Sequence, residues 1–353
     1  MPGPSPDVYA FYRSTTQRNL YRIPTRWRYS GPTYTCGRNN QPMRFRVLAA
    51  VAIGLFVSHE AARAQRNPPA HPDLQGTWNA STMTPLQRPP EFKDRAAFTP
   101  EEAAEYVRTA ADRLRKRLPT EADRLTQADV DDTYVETEAM PLDGLRTSLV
   151  VDPPNGVLPP PLATVQARVA ARPRRSFDDP EALNLAERCL LGNFAPGGSM
   201  ASPPLVPSPV IPAFYRIVQT DAYVLIFTEW MHDARVIRMN STHVSPAIRK
   251  WLGDSIGYWD GATLVVDTTN FRPEVHNLDS GPRLHVVERF TRVDPRTLRY
   301  RVTVDDPDSW ATPWTAEWPF RLTDAKMFPV ECHEGNYAIE NFLRGARAEE
   351  RRR

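Results

Sequence analysis

The chain has 353 residues carrying 44 basic and 42 acidic side chains, for a formal charge of +2. That length is enough for a substantial hydrophobic core in one large domain or two small ones. The charge is spread without the concentrated Lys/Arg surface of a nucleic-acid binder, and Arg351-Arg352-Arg353 reads as a solvated tail, so nucleic acid is excluded as a partner.

The basic residues are unevenly placed. Met43 to Gln65, MRFRVLAAVAIGLFVSHEAARAQ, has the parts of a secretory signal: Arg44 and Arg46, an apolar core from Val47 to Val57, and a small-x-small cleavage site at Ala62-Arg63-Ala64. The apolar core has eleven residues, too few to span a bilayer as a helix. Cleavage after Ala64 leaves 289 residues; a retained signal anchor is the alternative. Residues 1–42 would place the signal in the interior of a precursor, so the simpler reading starts translation at Met43 and treats 1–42 as a spurious leader. Nine basic and two acidic residues precede Gln65, so the mature chain holds 35 against 40, a formal charge of −5. The expected location is periplasmic or secreted, with no stable membrane span.

Within the mature chain, residues 65–212 read as an extended and helical part, and 213–353 as an antiparallel β part with a C-terminal helix. Gln65 to Pro90 is proline-rich, with one strand-like point in Leu74–Asn79. Thr99-Pro100-Glu101-Glu102 has the N-cap, first-turn proline and capping-box glutamate of a helix start, and the apolar spacing after it predicts a helix to about Leu118. The acidic run from Thr120 to Gly144 reads as a solvated connection, because Asp129, Asp131 and Asp132 lack the glycine and distal glutamate of a calcium loop. Thr147–Asp152 predicts a strand ended by Pro153-Pro154-Asn155-Gly156. Helices are expected over Leu162–Ala171 and from Asp179 towards Leu191, followed by a Pro/Gly/Ser loop to Pro212 that is long enough for a lid, a rim or a joint.

From Ala213 the pattern turns to strands. Ala213–Asn240 gives a three-strand meander, Ser255–Thr269 a hairpin about Asp260-Gly261, and Leu284–Thr291 with Leu298–Asp305 a second hairpin about Asp294-Pro295. Leu298, Tyr300, Val302 and Val304 alternate with polar residues, and Ala316, Trp318, Phe320 and Leu322 repeat the alternation. A short helix closes the chain, with Gly345 as its expected stop. The fold class is therefore mainly β, an antiparallel curled sheet or calycin-like barrel with peripheral helices, whose interior or mouth is the natural ligand space.

The stretches RTSLVVDPPNG, MHDARVIRMN, IRKWLGDSIGYWDGATLVVDTTNF, LHVVERFTRVD, VDDPDSW and CHEGNYAIENFLRGAR, taken together, resemble a group of exported bacterial proteins that share the HDAR, WLGDS, ERFTR and CHEGNYA motifs. The resemblance covers most of the mature chain. It implies export and one continuous domain.

Three clusters are candidates for chemistry. Glu229, His232, Asp233 and Arg235 fall within seven residues, where a histidine beside carboxylates serves as a general base or acid. The same residues equally suit an Arg–carboxylate pair closing a strand end. Glu288 alternates with Leu284, Val286 and Phe290 and is expected on the apolar side, where burial penalises its charge unless Arg or His pairs with it, while His285 points the other way. His333 and Glu334 follow Cys332, which is expected to pair with Cys189 across more than a hundred residues; two separate buried thiols are the alternative. His232, His285 and His333 with Glu288 or Glu334 have the residue types of a zinc site, but no zinc-binding helix spacing supports it, so no metal and no cofactor is expected. Arg235, His285, Trp251, Tyr258 and Trp259 are candidate ligand contacts; Trp230, Trp310, Trp314 and Trp318 also lie near turns or strand ends, and core packing explains several of these aromatics. The expected function is binding of a small organic molecule, with metal-independent hydrolase or lyase chemistry as its catalytic form. A periplasmic ligand carrier and a structural envelope protein are the alternatives.

Overall fold

The computed structural model describes residues 71–92, 94–115, 142–171, 178–183, 185–191, 202–207, 213–229, 231, 233–275, 277–328 and 337–352, which fall in one compact unit. Ten strands line up in it: β1 (Gly76–Asn79), β2 (Val150–Asp152), β3 (Phe214–Gln219), β4 (Tyr223–Thr228), β5 (Ala234–Met239), β6 (Asp254–Asp260), β7 (Thr263–Thr269), β8 (His285–Asp294), β9 (Thr297–Asp305) and β10 (Trp314–Thr323).

The alternation of apolar and polar residues forces these strands to curl, because one face of each must leave water. In β8 Val286, Glu288 and Phe290 are buried, and in β9 Leu298, Tyr300, Val302 and Val304 are. β3 to β10 follow one another as neighbours, and β1 inserts between β3 and β10, placing Trp78 opposite both Tyr215 and Leu322. The result is a closed nine-stranded barrel. Since β1 reaches only the Arg321–Thr323 end of β10, the same edge has room at Thr315 and Ala316 for β2. The residues before Pro212 thus supply two strands of the sheet. Tyr215, Phe290, Tyr300, Trp318 and Phe320 meet inside, with Tyr300 at 4.7 Å from Trp318 and 5.0 Å from both Phe290 and Phe320.

One connection breaks the antiparallel expectation. β5 and β6 run parallel, over Ile237–Met239 against Ser255–Gly257 alone, so the chain must cross back through residues 240–253 before it can start β6. Gly253 makes the entry: its φ is +73°, and a Cβ there would lie 2.6 Å from the Thr268 methyl group and 2.8 Å from the Phe271 ring. Only glycine suits both conditions.

Three α-helices are present among the described residues. In α1 (Pro100–Arg115) the capping box forms: the Glu102 amide donates to Thr99 Oγ1 at 3.2 Å, and the Thr99 amide to Glu102 Oε2 at 2.9 Å. Residues 116–118 of the expected helix, and Asp129, Asp131 and Asp132, lie outside the described residues. α2 (Ala163–Ala170) buries Val165. α3 (Ala338–Glu350) runs through Gly345, which corrects its expected role as a stop. The helix expected from Asp179 is a single 3-10 turn, Pro180–Ala182; Asp179 caps it through the Glu181 amide, and Leu183 then returns to extended backbone. A cap and a first-turn proline start a turn whether or not a helix forms behind them. Of the long loop before β3, Ser202–Pro207 is described. Ser202 and Leu205 are fully buried, and the Leu205 amide donates to the Tyr300 hydroxyl at 3.2 Å.

Candidate functional site

The inward face of a barrel wall is apolar by default, so a charge there needs a partner. Arg235 on β5 and Glu288 on β8 provide one for each other across the interior. Nη1 lies 2.5 Å from Oε2 and Nη2 3.0 Å from Oε1, with the side chains 2% and 0% exposed. The two-pronged geometry matches guanidinium to carboxylate. The Tyr300 hydroxyl donates to Glu288 Oε1 at 2.7 Å and itself accepts from Leu205. Burial is the largest single influence and lowers the affinity of Arg235 for its proton, but the charge and hydrogen bond of Glu288, with Tyr300 and Tyr215, together outweigh it and hold the guanidinium above its ordinary range. Burial, and then the Glu288 charge, push the Tyr300 hydroxyl well up; burial first and the same charge push Tyr215 up, against Arg235. Both phenols therefore stay protonated as donors.

Several buried donors at this centre lack an acceptor: the Tyr215 hydroxyl, Arg235 Nε and Trp318 Nε1, with Trp314 Nε1 further along the same face of β10. Tyr215 feels both charges of the pair, and Trp318 packs against Tyr300.

Glu229 stands at the end of β4, where burial raises its carboxyl against the opposing pull of the Phe328 amide, which donates to Oε1 at 2.7 Å. The Thr228 amide bonds the Asp233 carbonyl at 3.0 Å, closing the turn between β4 and β5. Glu229 and Asp233 thus border the strand that carries Arg235. His232, Trp230, Cys332, His333 and Glu334 lie outside the described residues, while Cys189 is buried with φ 54°. Among the described residues no group of three or more His, Cys, Asp or Glu side chains gathers as a metal set, and no helix is long and apolar enough to cross a membrane.

A second polar assembly covers the outer wall. His285 points away from Glu288, as strand alternation requires, and its Nε2 lies 2.9 Å from Asp267 Oδ1. His243, from the crossover, brings its Nε2 to 3.0 Å from the same oxygen and its Nδ1 to 3.1 Å from Asp254 Oδ2. Asp254, 1% exposed, also receives Lys250 Nζ at 2.5 Å, Arg238 at 3.0 Å and the Val244 amide at 3.1 Å. Burial alone would raise its carboxyl; Lys250, the Val244 amide and His243 reverse this and hold it far below the usual range. Burial likewise opposes the lowering of Asp267, which His285 and His243 impose.

The bond to Asp267 raises His285, against burial, with the Asp267 and Asp305 charges adding to it. A raised folded value means that the imidazolium stabilises fully below about pH 6.5, the unfolded value, and that this contribution is lost as pH rises through the folded value. His285 is 37% exposed, so solvent keeps the contribution below about 1 kcal/mol. Urea midpoints taken from pH 6 to 9 are expected to decline in the wild type by more than in His285→Asn. Parallel declines in the two proteins would contradict the assignment.

The candidate aromatics divide. Trp251 lies under Arg272, whose guanidinium carbon is 4.3 Å from the ring centre. Trp259 stacks on His71 at 4.7 Å and packs against the core, whereas its neighbour Tyr258 is 47% exposed. Adjacent strand residues face opposite sides, so these two cannot line one surface. No protein-family model, curated protein or solved structure matches the chain.

The sequence candidates thus bring together Arg235 and Glu288, with Glu229 and Asp233 at the neighbouring turn, and set His285, Tyr258 and Trp251 apart from them. Sequence reasoning missed Tyr215, Tyr300, His243, Asp254 and Asp267. Tyr300 read as one of the inward residues alternating along Leu298–Asp305, and Tyr215 carried no signal of its own, since neither β3 nor β9 buries a charge. Asp267 was legible as an acid directly after the apolar Leu264-Val265-Val266 of its strand.

Proposed function

We propose that the chain is an exported protein whose barrel binds a small organic molecule at the Arg235–Glu288 centre. The observation that carries the reading is the pair itself, a complete ion pair with its own phenol, held in the middle of a closed barrel. A buried pair adds little stability over apolar residues of the same size, so its presence there calls for another use. Its catalytic form is a metal-independent hydrolase or lyase, with Glu229 and Asp233 beside His232 supplying acid and base. The carrier reading is favoured by one detail: both Glu288 oxygens are already engaged, Oε1 by two donors, which suits holding a molecule better than taking its proton.

Two measurements test the proposal. Protein isolated from the exported fraction, denatured to release bound compounds and analysed by mass spectrometry, is expected to yield a stoichiometric small molecule; a blank extract and no binding across a broad compound library would reject it. Turnover unchanged in both H232A and E334A would leave the carrier. A peptide map without reduction reads the remaining parts at once, with Gln65 as the first residue and Cys189 linked to Cys332; an intact Met1 or alkylatable thiols would remove those parts.

A further inference from the structure

We propose that His243 is a pH-sensitive clasp: with both ring nitrogens protonated it ties the 240–253 crossover to β6 and β7 together, and loss of one proton opens the crossover from β7. The count of protons carries this. His243 Nδ1 lies 3.1 Å from Asp254 Oδ2 on β6, and Nε2 lies 3.0 Å from Asp267 Oδ1 on β7. A neutral imidazole has one N–H and one bare nitrogen, so it can donate to only one of these oxygens. Neither carboxyl returns a proton to the bare nitrogen. Burial raises both, but their donors outweigh it and hold Asp254 and Asp267 below the usual carboxylate range. Both contacts are therefore hydrogen bonds only when the ring is an imidazolium, and histidine is the side chain that ordinarily changes charge between about pH 5 and 8.

The surroundings decide which end opens. At Asp254 the Nδ1 contact shares Oδ2 with the amide of Val244, the next residue in the chain, while Arg238 on β5 reaches both that oxygen and the Thr242 carbonyl. Lys250 holds the other oxygen, Oδ1. Asp267 offers no such backbone anchor: it is partly exposed and keeps His285 of β8, which stands opposite Asp305 of β9. A neutral ring that keeps its Nδ1 proton on Asp254 turns a lone pair towards Asp267, and water takes the place of the ring on that carboxylate. Since β5 and β6 pair only over Ile237–Met239 against Ser255–Gly257, little strand pairing holds the start of the crossover closed.

The test uses the full chain with 15N-labelled histidine, from pH 5 to 8.5. At pH 5 both His243 ring nitrogens are expected to carry a proton, and at pH 8.5 Nδ1 alone. Over the same range the protection factor of the Val244 amide, corrected for the intrinsic exchange rate, is expected to fall at least fivefold, and amides of β9 and β10 by less. His243→Gln, which cannot change charge, is expected to remove most of that fall, and His285→Asn to keep it. No fall at Val244, a fall that survives in His243→Gln, an equal fall through β9 and β10, or a proton on Nε2 at pH 8.5 would each overturn the proposal. If His243→Gln does not fold, the wild-type ring protons and the Val244 protection decide by themselves.

Discussion

Glu288→Leu will destabilise the fold by about 3–5 kcal/mol, because it strands the Arg235 guanidinium, 2% exposed, in the barrel with no counter-charge. The same change removes the acceptor of the Tyr300 hydroxyl, which burial keeps protonated. Arg235→Met in the Glu288→Leu background will recover most of the loss, since two apolar side chains of similar size are a tolerable filling for the same volume. Chemical denaturation of the single and double variants measures both numbers. A single variant within about 1 kcal/mol of wild type would mean that water reaches Arg235, and the interior position of the pair would have to be abandoned. The double variant also tests the proposed function, because it is expected to fold without the charged centre at which binding is proposed.

Asp254→Ala will cost about 2–3 kcal/mol, less than Glu288→Leu although Asp254 has more partners. The difference comes from where the partners sit. Lys250 is 44% and Arg238 26% exposed, so water takes over part of what the carboxylate leaves, whereas nothing replaces Glu288 for Arg235. What Asp254 holds is the crossover: Lys250 and His243 belong to it, and Arg238 is the last residue but one of the strand before it. The variant is expected to lose amide protection first over residues 240–253, with β8 to β10 protected as in wild type. The depressed carboxyl also sets a pH dependence. Its stabilisation is complete above about pH 4, the unfolded value, and is lost as pH falls through the lower folded value, so acid unfolding should shift to higher pH in Asp254→Ala. Uniform loss of protection through the whole barrel would show that the crossover and the wall unfold as one unit.

Much of the barrel was legible because its strands are long and half wet. Alternation in Leu298–Asp305 fixes which side chains face in, and the same rule placed Glu288 inside and His285 outside before any partner was known. The Arg235 partner was legible in kind, since a buried carboxylate demands a cation, although alternation along one strand carries no information about which strand lies across the interior. Local signals did worse at boundaries. Asp179 and Pro180 are good opening residues, yet the chain beyond them packs as turns with Leu183, Ala186 and Leu191 buried, and tertiary burial overrode the local start. Gly345 failed as a stop because α3 carries on to Glu350, with Arg344 and Arg347 pairing Glu340 and Glu350 along it. The parallel β5–β6 pairing had no sequence signal: fourteen residues between Met239 and Asp254 suit a loop of any direction.

Closure of the wall also fixes a timetable. Thr77 pairs with Thr323, 246 residues later, and β1 is the strand that joins β3 to β10. Pairings so distant in the chain are slow to form, because a long loop must be ordered before any contact rewards it. Until β10 has been synthesised, β1 can pair with β3 but has no neighbour on its other edge, and Trp78 has no Leu322 opposite it there. A nascent chain of this design stays open to the last strand and closes only when whole.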